Sequence, residues 1–239
     1  MDVSVTAPPG VLLALDTSSA TIGYALHDGA ALLVETAWQG QRQGTATLLA
    51  AIWQSLAAVG KTKADLAAVA VATGPGSFAG LRVGLGIAKG LALGLGLPIV
   101  GVPTLAFTAT PFGVFAAYGG VVCALIAAGR GRYAYALYGD ESGALVPITA
   151  MGHGTPLEIA EVVTTYPVSL VCGEMDAAAE AAFRAIPGAT VPPSGIRERR
   201  LGALADLGWQ GILHGRVDDL VTLEPIYLHT TPTVRTGKG

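Results

Sequence analysis

Charge is scarce in this chain. Of its 239 residues only 13% are Asp, Glu, Lys or Arg, and between Gly90 and Gly129 there is none at all. Aromatic residues make up 6% and cysteines number two. With 14 basic against 17 acidic residues and a net charge of −3, the chain lacks the electrostatic footprint of an independent nucleic-acid binder. Any RNA contact has to be shared with a more basic partner. Cys123 and Cys172 sit in the apolar runs VVCALI and SLVCGE, which fits small buried core residues and a reducing cytoplasm. His27, His153, His214 and His229 have no second His three or four residues away, so no metal-ligand spacing is present and no metal is expected. The opening MDVSVTAPPG places Asp2 where an export signal would be basic, and a cytoplasmic location is therefore expected.

What the chain does have is apolar residues, 51% of the total, with a mean hydropathy of +0.55. A membrane span needs about 20 uninterrupted apolar residues. Here Pro98, Pro103 and Pro111 cut the uncharged stretch, and the longest run before them carries Lys89 near its middle. Short apolar runs bounded by Gly and Pro fit the buried strands and helices of an α/β core, and no membrane insertion is expected.

The runs fall in an order. VLLALD (11–16) is a buried strand, and TIGYALHDG and ALLVETAW are alternating strands joined at Asp28-Gly29. Residues 45–59 read as a helix with Leu48, Leu49, Ile52, Leu56 and Val59 on one side. DLAAVAVAT (65–73) and PIVGV (98–102) are further strands. The pattern then restarts: residues 121–151 read as three strands turning at 139–143, followed by helix 156–166, strand 168–173 and helix 175–186. ERRLGALADLGWQGILHG (198–215) reads as a last helix. LLALDTSSATIGYALHDGAALLVETA parallels CALIAAGRGRYAYALYGDESGALVPITA. Two copies of a three-strand meander with α/β units predict a duplicated α/β fold with a cleft between its halves. The expected division is a disordered 1–10, an N-terminal half 11–118, a C-terminal half 119–230 and a loose 231–239.

One stretch stands apart. In GPGSFAGLRVGLGIAKGLALGLGLPIVGVPTL (74–105), a tight turn is followed by Ser77, a good N-cap, and about five helical turns. Gly76, Gly80, Gly84, Ala88, Ala92 and Gly96 recur every four residues, and Gly86, Gly90 and Gly94 form a second row. Each helical Gly costs roughly 1 kcal/mol relative to Ala, so something must need them. A bare face lets another backbone come close. Either a foreign helix docks there or the helix packs smoothly inside its own fold. On the docking reading, Gly84→Arg is expected to block association and leave the monomer folded.

Enzymatic signatures are incomplete. GPGSFAG lacks the lysine of a phosphate-binding P-loop, since Gly80 is followed by Leu81 and Arg82, and the dinucleotide spacing also fails. Ser77 lacks the flanking glycines of a nucleophile elbow. Asp16-Thr17-Ser18-Ser19 closes the first strand at the place where actin-like ATPases and sugar kinases hold Mg²⁺ and phosphate. The matching second-half turn, 127–131, has no carboxylate. Asp16, Thr17 and Ser18 are thus read as a vestigial nucleotide turn, with a divergent ATPase or small-molecule kinase as the alternative.

LALDTSSATIGYAL, the long Gly-rich stretch and LEPIYL closely resemble bacterial TsaB (YeaZ-like) proteins, of the ribonuclease H/actin-like (ASKHA) glycoprotease group. The resemblance implies a duplicated actin-like fold with an intact N-terminal half and a reduced C-terminal half. It also implies a cytoplasmic, non-catalytic scaffold in the machinery that makes N6-threonylcarbamoyladenosine at position 37 of ANN-decoding tRNAs, needing no cofactor of its own. A TsaD-type subunit would carry the chemistry, a TsaE-type ATPase would join the pair, and tRNA would be met only through the complex. A third reading from the Gly-rich helix itself is a self-associating protein in which that helix pairs with its own copy, as a homodimer that stands in when no partner is present. Carried over onto this chain, the interface residues are Ser77, Gly80, Arg82, Gly84, Gly86, Ala88, Lys89 and Gly90, with Thr45, Leu48, Leu49 and Ile52 of the first helix. Gly44-Thr45 and the AAGRGRYA turn from Ala127 depart from the family's usual residues.

Overall fold

The computed structural model describes residues 10–40 and 47–227. Thr45 and, apart from residue 10, the two segments expected to be loose lie outside them. Strands β1 (Val11–Asp16), β2 (Thr21–His27) and β3 (Leu32–Gln39) form an antiparallel meander. Helix α1 (Leu48–Ala58) leads to β4 (Leu66–Gly74), and helix α2 (Phe78–Leu95) leads to β5 (Ile99–Pro103). The sheet order is β3-β2-β1-β4-β5, with β4 and β5 parallel to β1. Short helices α3 (Thr104–Ala109) and α4 (Gly113–Ala117) cross to the second half.

That half repeats the plan. Strands β6 (Val121–Ala127), β7 (Tyr133–Glu141) and β8 (Ala144–Pro147) are again a meander, and the short β9 (Gly152–Gly154) adds to β7. Helix α5 (Pro156–Thr164), β10 (Ser169–Gly173), α6 (Ala177–Arg184) and β11 (Ala189–Thr190) complete a sheet ordered β8-β7-β6-β10-β11. The two orders match strand for strand, which is the duplicated actin-like fold. The second copy is the reduced one: α6 has 8 residues where α2 has 18, and β11 has 2 where β5 has 5. Helices α7 (Ser194–Arg197) and α8 (Leu201–Leu213) follow.

Strand alternation sorts the core. Leu13, Leu15, Tyr24, Leu26, Val69 and Val71 face α1 and α2, while Leu12, Ala14, Ala25, Ala68 and Ala70 face α8. The second sheet packs α3 and α4 on one face and α5 and α6 on the other. Helix α8 returns from the second half to cover the first sheet. Both cysteines are fully buried; burial pushes the Cys123 thiol up to about 12 and Cys172 well above the usual range.

The two glycine rows have different neighbours. A Cβ on Gly76, Gly80 or Gly84 would run into Ser18 O, Thr17 O or Thr17 Oγ1 respectively, whereas Gly86, Gly90 and Gly94 have nothing within 4 Å of that position. The first row, with buried Ala88 and Ala92, lets α2 lie against the β1–β2 turn and the core of its own chain. This corrects the expectation that Gly84 could become Arg without harm to the fold. Among the described residues α2 is also the one helix long and apolar enough to cross a bilayer by length and composition. It packs on β4 and carries Arg82 and Lys89.

Gly84→Val should lower stability by about 1–3 kcal/mol through overpacking against Thr17. Gly90→Ala should raise it by about 1 kcal/mol, since the helix gains an Ala where space is open. Urea unfolding of both variants checks the pair, and equal effects would contradict this assignment of the rows.

Candidate functional site

Two places on the molecule collect the residues singled out by the sequence. The first is the outer face of α2. Ser77 caps the helix by accepting from Gly80 N at 3.3 Å, and Ser77 N donates to Ser18 O at 2.6 Å. Thr17 Oγ1 donates to Gly80 O at 2.7 Å, so the β1–β2 turn and the first turn of α2 are stitched together. Past this point Arg82, Gly86, Lys89 and Gly90 turn outward or lie half-exposed. The Arg82 guanidinium lies 4.0 Å from the Phe78 ring centroid, and its Nε donates to Tyr227 Oη at 3.2 Å. Between α2 and residues 223–227 runs a groove of ≈ 360 Å³ with Arg82, Gly86, Lys89 and Tyr227 among its walls. Val83 and Leu93 stand exposed on the same helix, Leu93 at 76%.

Other expected interface residues point elsewhere. Leu48, Ile52 and Ala88 are wholly buried in the chain's own core, and Leu49 packs partly against it. Gly80 and Gly84 are covered by Thr17. The expected interface residues left at the surface are therefore fewer than the sequence implied, and they gather around the second glycine row.

The second place is the cleft between the sheets, where Asp16, Thr17 and Ser18 are all buried. Asp16 Oδ1 accepts from Ser18 N at 2.8 Å, as a carboxylate that caps its own turn does. Its other oxygen accepts from Arg199 Nε at 2.8 Å. Arg199 Nη1 lies 2.8 Å from Glu174 Oε1, and Nη2 donates to Ser19 Oγ at 2.9 Å and Thr21 O at 3.1 Å. The side chains of Arg199 and Asp16 are 3% and 2% exposed. Burial works against the Arg199 charge, but the Asp16 and Glu174 carboxylates outweigh it and hold its pKa above the usual value. Beside this network lies a cleft of ≈ 510 Å³ walled in part by Tyr133, Glu174, Asp176 and Glu198.

Sequence reasoning misses Glu174 and Arg199. It looks for the second half's carboxylate in the turn at 127–131, whereas Glu174 comes from the end of β10, the counterpart of β4. Residues 198–200 read as helical by pattern, but the helix begins only at Leu201. Glu35 marks that start: its Oε1 accepts from Leu201 N at 2.7 Å, while Oε2 accepts from Arg200 at 2.7 Å. A run of arginines ahead of an apolar periodic segment is the available signal. Among the described residues no group of three or more His, Cys, Asp or Glu is placed to hold a metal.

Asp16→Asn removes one of the two carboxylates of a buried guanidinium and leaves it paired with Glu174, so it should cost about 1.5–3 kcal/mol. Arg200→Ala, which breaks a half-exposed pair, should cost about 1 kcal/mol or less. Comparable losses in urea denaturation would contradict the burial argument.

No curated protein matches the chain in sequence. Residues 39–153, from the end of β3 to β9, match the model of the TsaD family, described as tRNA N6-adenosine threonylcarbamoyltransferase. Among solved structures, YeaZ from Pseudomonas aeruginosa is 22% identical, with 92% of this chain and 100% of that one covered and a TM-score of 0.71. A second Pseudomonas aeruginosa structure, an uncharacterized protein with similarity to peptidase YeaZ, gives 22%, 92%, 99% and 0.72. The ethanolamine utilization protein EutJ from Carboxydothermus hydrogenoformans is more distant, at 16% identity over 84% and 91% of the chains with a TM-score of 0.52. The chain thus has a YeaZ-like, duplicated actin-like fold, and its stretch from β3 to β9 is similar to the TsaD family.

Proposed function

We propose that this protein is a non-catalytic scaffold subunit in the formation of N6-threonylcarbamoyladenosine on tRNA, docking on a TsaD-type catalytic subunit. The observation that carries this reading is the match of residues 39–153 to the TsaD model in a chain of YeaZ-like fold. The docking element is the outer face of α2, with Arg82, Gly86, Lys89 and Gly90 at its centre. A glycine row with open space above it lets a second helix approach near the lower limit of helix packing, roughly 8 Å between axes. Exposed Val83 and Leu93 supply apolar area beside that row. A TsaE-type ATPase joins the pair, tRNA is met through the complex, and in the partner's absence the same face pairs with a second copy. The cytoplasm is the compartment in which tRNA modification of this kind would take place.

The alternative of an ATPase or kinase using Asp16 is disfavoured by the Arg199 guanidinium. A carboxylate already satisfied by a buried arginine has little left with which to hold a metal-bound phosphate.

Gly90→Arg should leave the far-UV circular dichroism unchanged and weaken binding to the TsaD-type subunit by about tenfold or more. In a mixture with that subunit, threonylcarbamoyl-adenylate and tRNA, modification should require this chain and fail with the variant. Undiminished association of Gly90→Arg, or modification that proceeds without the chain, would overturn the proposal.

A further inference from the structure

The segment leading into α8 carries three arginines, and each finds a carboxylate on a different element. Arg197 pairs with Glu180 of α6 at 3.0 Å, Arg200 with Glu35 of β3 at 2.7 Å, and Arg199 with Asp16 of β1 and with Glu174 beyond β10. The Arg199 surroundings differ in kind from the other two. Four oxygens converge on one guanidinium: Asp16 Oδ2 and Glu174 Oε1 at 2.8 Å, Ser19 Oγ at 2.9 Å and Thr21 O at 3.1 Å. Asp16, Ser19 and Thr21 belong to the first half and Glu174 to the second. Ser19 Oγ also donates to Glu174 Oε1 at 2.9 Å, so the ring of acceptors is tied together around the cation. Among the described residues no other ion pair involves Asp16 or Glu174.

Two carboxylates, a hydroxyl and a backbone carbonyl are the donor types that a hard divalent cation takes. Here the cation is supplied by the chain itself. Arginine suits the position: it stays charged when buried, is weakly hydrated, and presents several donors in one plane.

We propose that Arg199 is a built-in cation, occupying from within a cation site that the two halves form jointly and thereby closing the cleft to metal ions and metal-bound phosphates. None of the four acceptors belongs to α2, so the inference stands independently of which partner docks on that helix. It assigns Asp16 and Glu174 a common role as ligands of an internal guanidinium. It also makes this one side chain a tie between the halves, since withdrawing it leaves buried Asp16 and partly buried Glu174 without their shared cation.

The test uses the full chain and Mn²⁺ as the probe. Arg199→Ala should take up one Mn²⁺, read as loss of the free-ion electron paramagnetic resonance signal. Its affinity should exceed that of the unaltered protein by about tenfold or more, with the thermal midpoint rising as Mn²⁺ is added. Adding Glu174→Gln to the variant should return Mn²⁺ uptake to the level of the unaltered protein. A folded Arg199→Ala that takes up no more Mn²⁺ than the unaltered protein, or uptake that survives Glu174→Gln, overturns the proposal. If Arg199→Ala does not fold in metal-free buffer, Mn²⁺ must restore its near-ultraviolet circular dichroism; failure to do so equally overturns it.

Discussion

The contact between the β1–β2 turn and the start of α2 governs how the rest of this molecule is used. Thr17 and Ser18 press on α2 so closely that positions 76, 80 and 84 have no room for a side chain. Two hydrogen bonds, from Thr17 Oγ1 to Gly80 O and from Ser77 N to Ser18 O, fix the helix in rotation as well as in distance. Once that rotation is set, the geometry of 3.6 residues per turn decides what faces outward. Gly86, Gly90 and Gly94 are carried to the far side, together with Arg82 and Val83.

The same turn is engaged from its other side. Asp16 and Ser19, which flank the residues that touch α2, both bind Arg199, and Arg199 in turn reaches Glu174 in the second half. Four consecutive residues thus hold α2, the segment that leads into α8 and the end of β10. With few charged residues to spend, several of them are directed inward, and the outer face of α2 is left with bare backbone, apolar side chains and two cations.

Much of this architecture is legible in the amino-acid order alone. Strand alternation and apolar periodicity locate most of the strands and helices that build both sheets to within a few residues, though not the short β9 and β11, and the parallel between residues 12–37 and 123–150 marks the duplication. Ser77 as a cap and α2 as an unusual helix are also readable. What the sequence leaves open is which glycine row faces in. That depends on a contact between residues 17 and 84, whose separation no local pattern encodes. The arginine run at 197–200 is hidden for the opposite reason: charged residues at the head of a helix ordinarily face water, and only the fold brings Glu35, Glu174 and Asp16 to meet them. Leu48, Ile52 and Ala88 have the spacing of interface residues, yet they lie in the core; an apolar helical stripe has the same period whether it packs on its own sheet or on a partner.

The central claim is that α2's outer face meets the catalytic subunit. A benzophenone amino acid placed at Leu93 and, separately, at Tyr118, which is 88% exposed, tests it most directly. With a TsaD-type subunit present, illumination should crosslink the two chains from position 93 and not from position 118. Crosslinking from 118 alone would contradict the account.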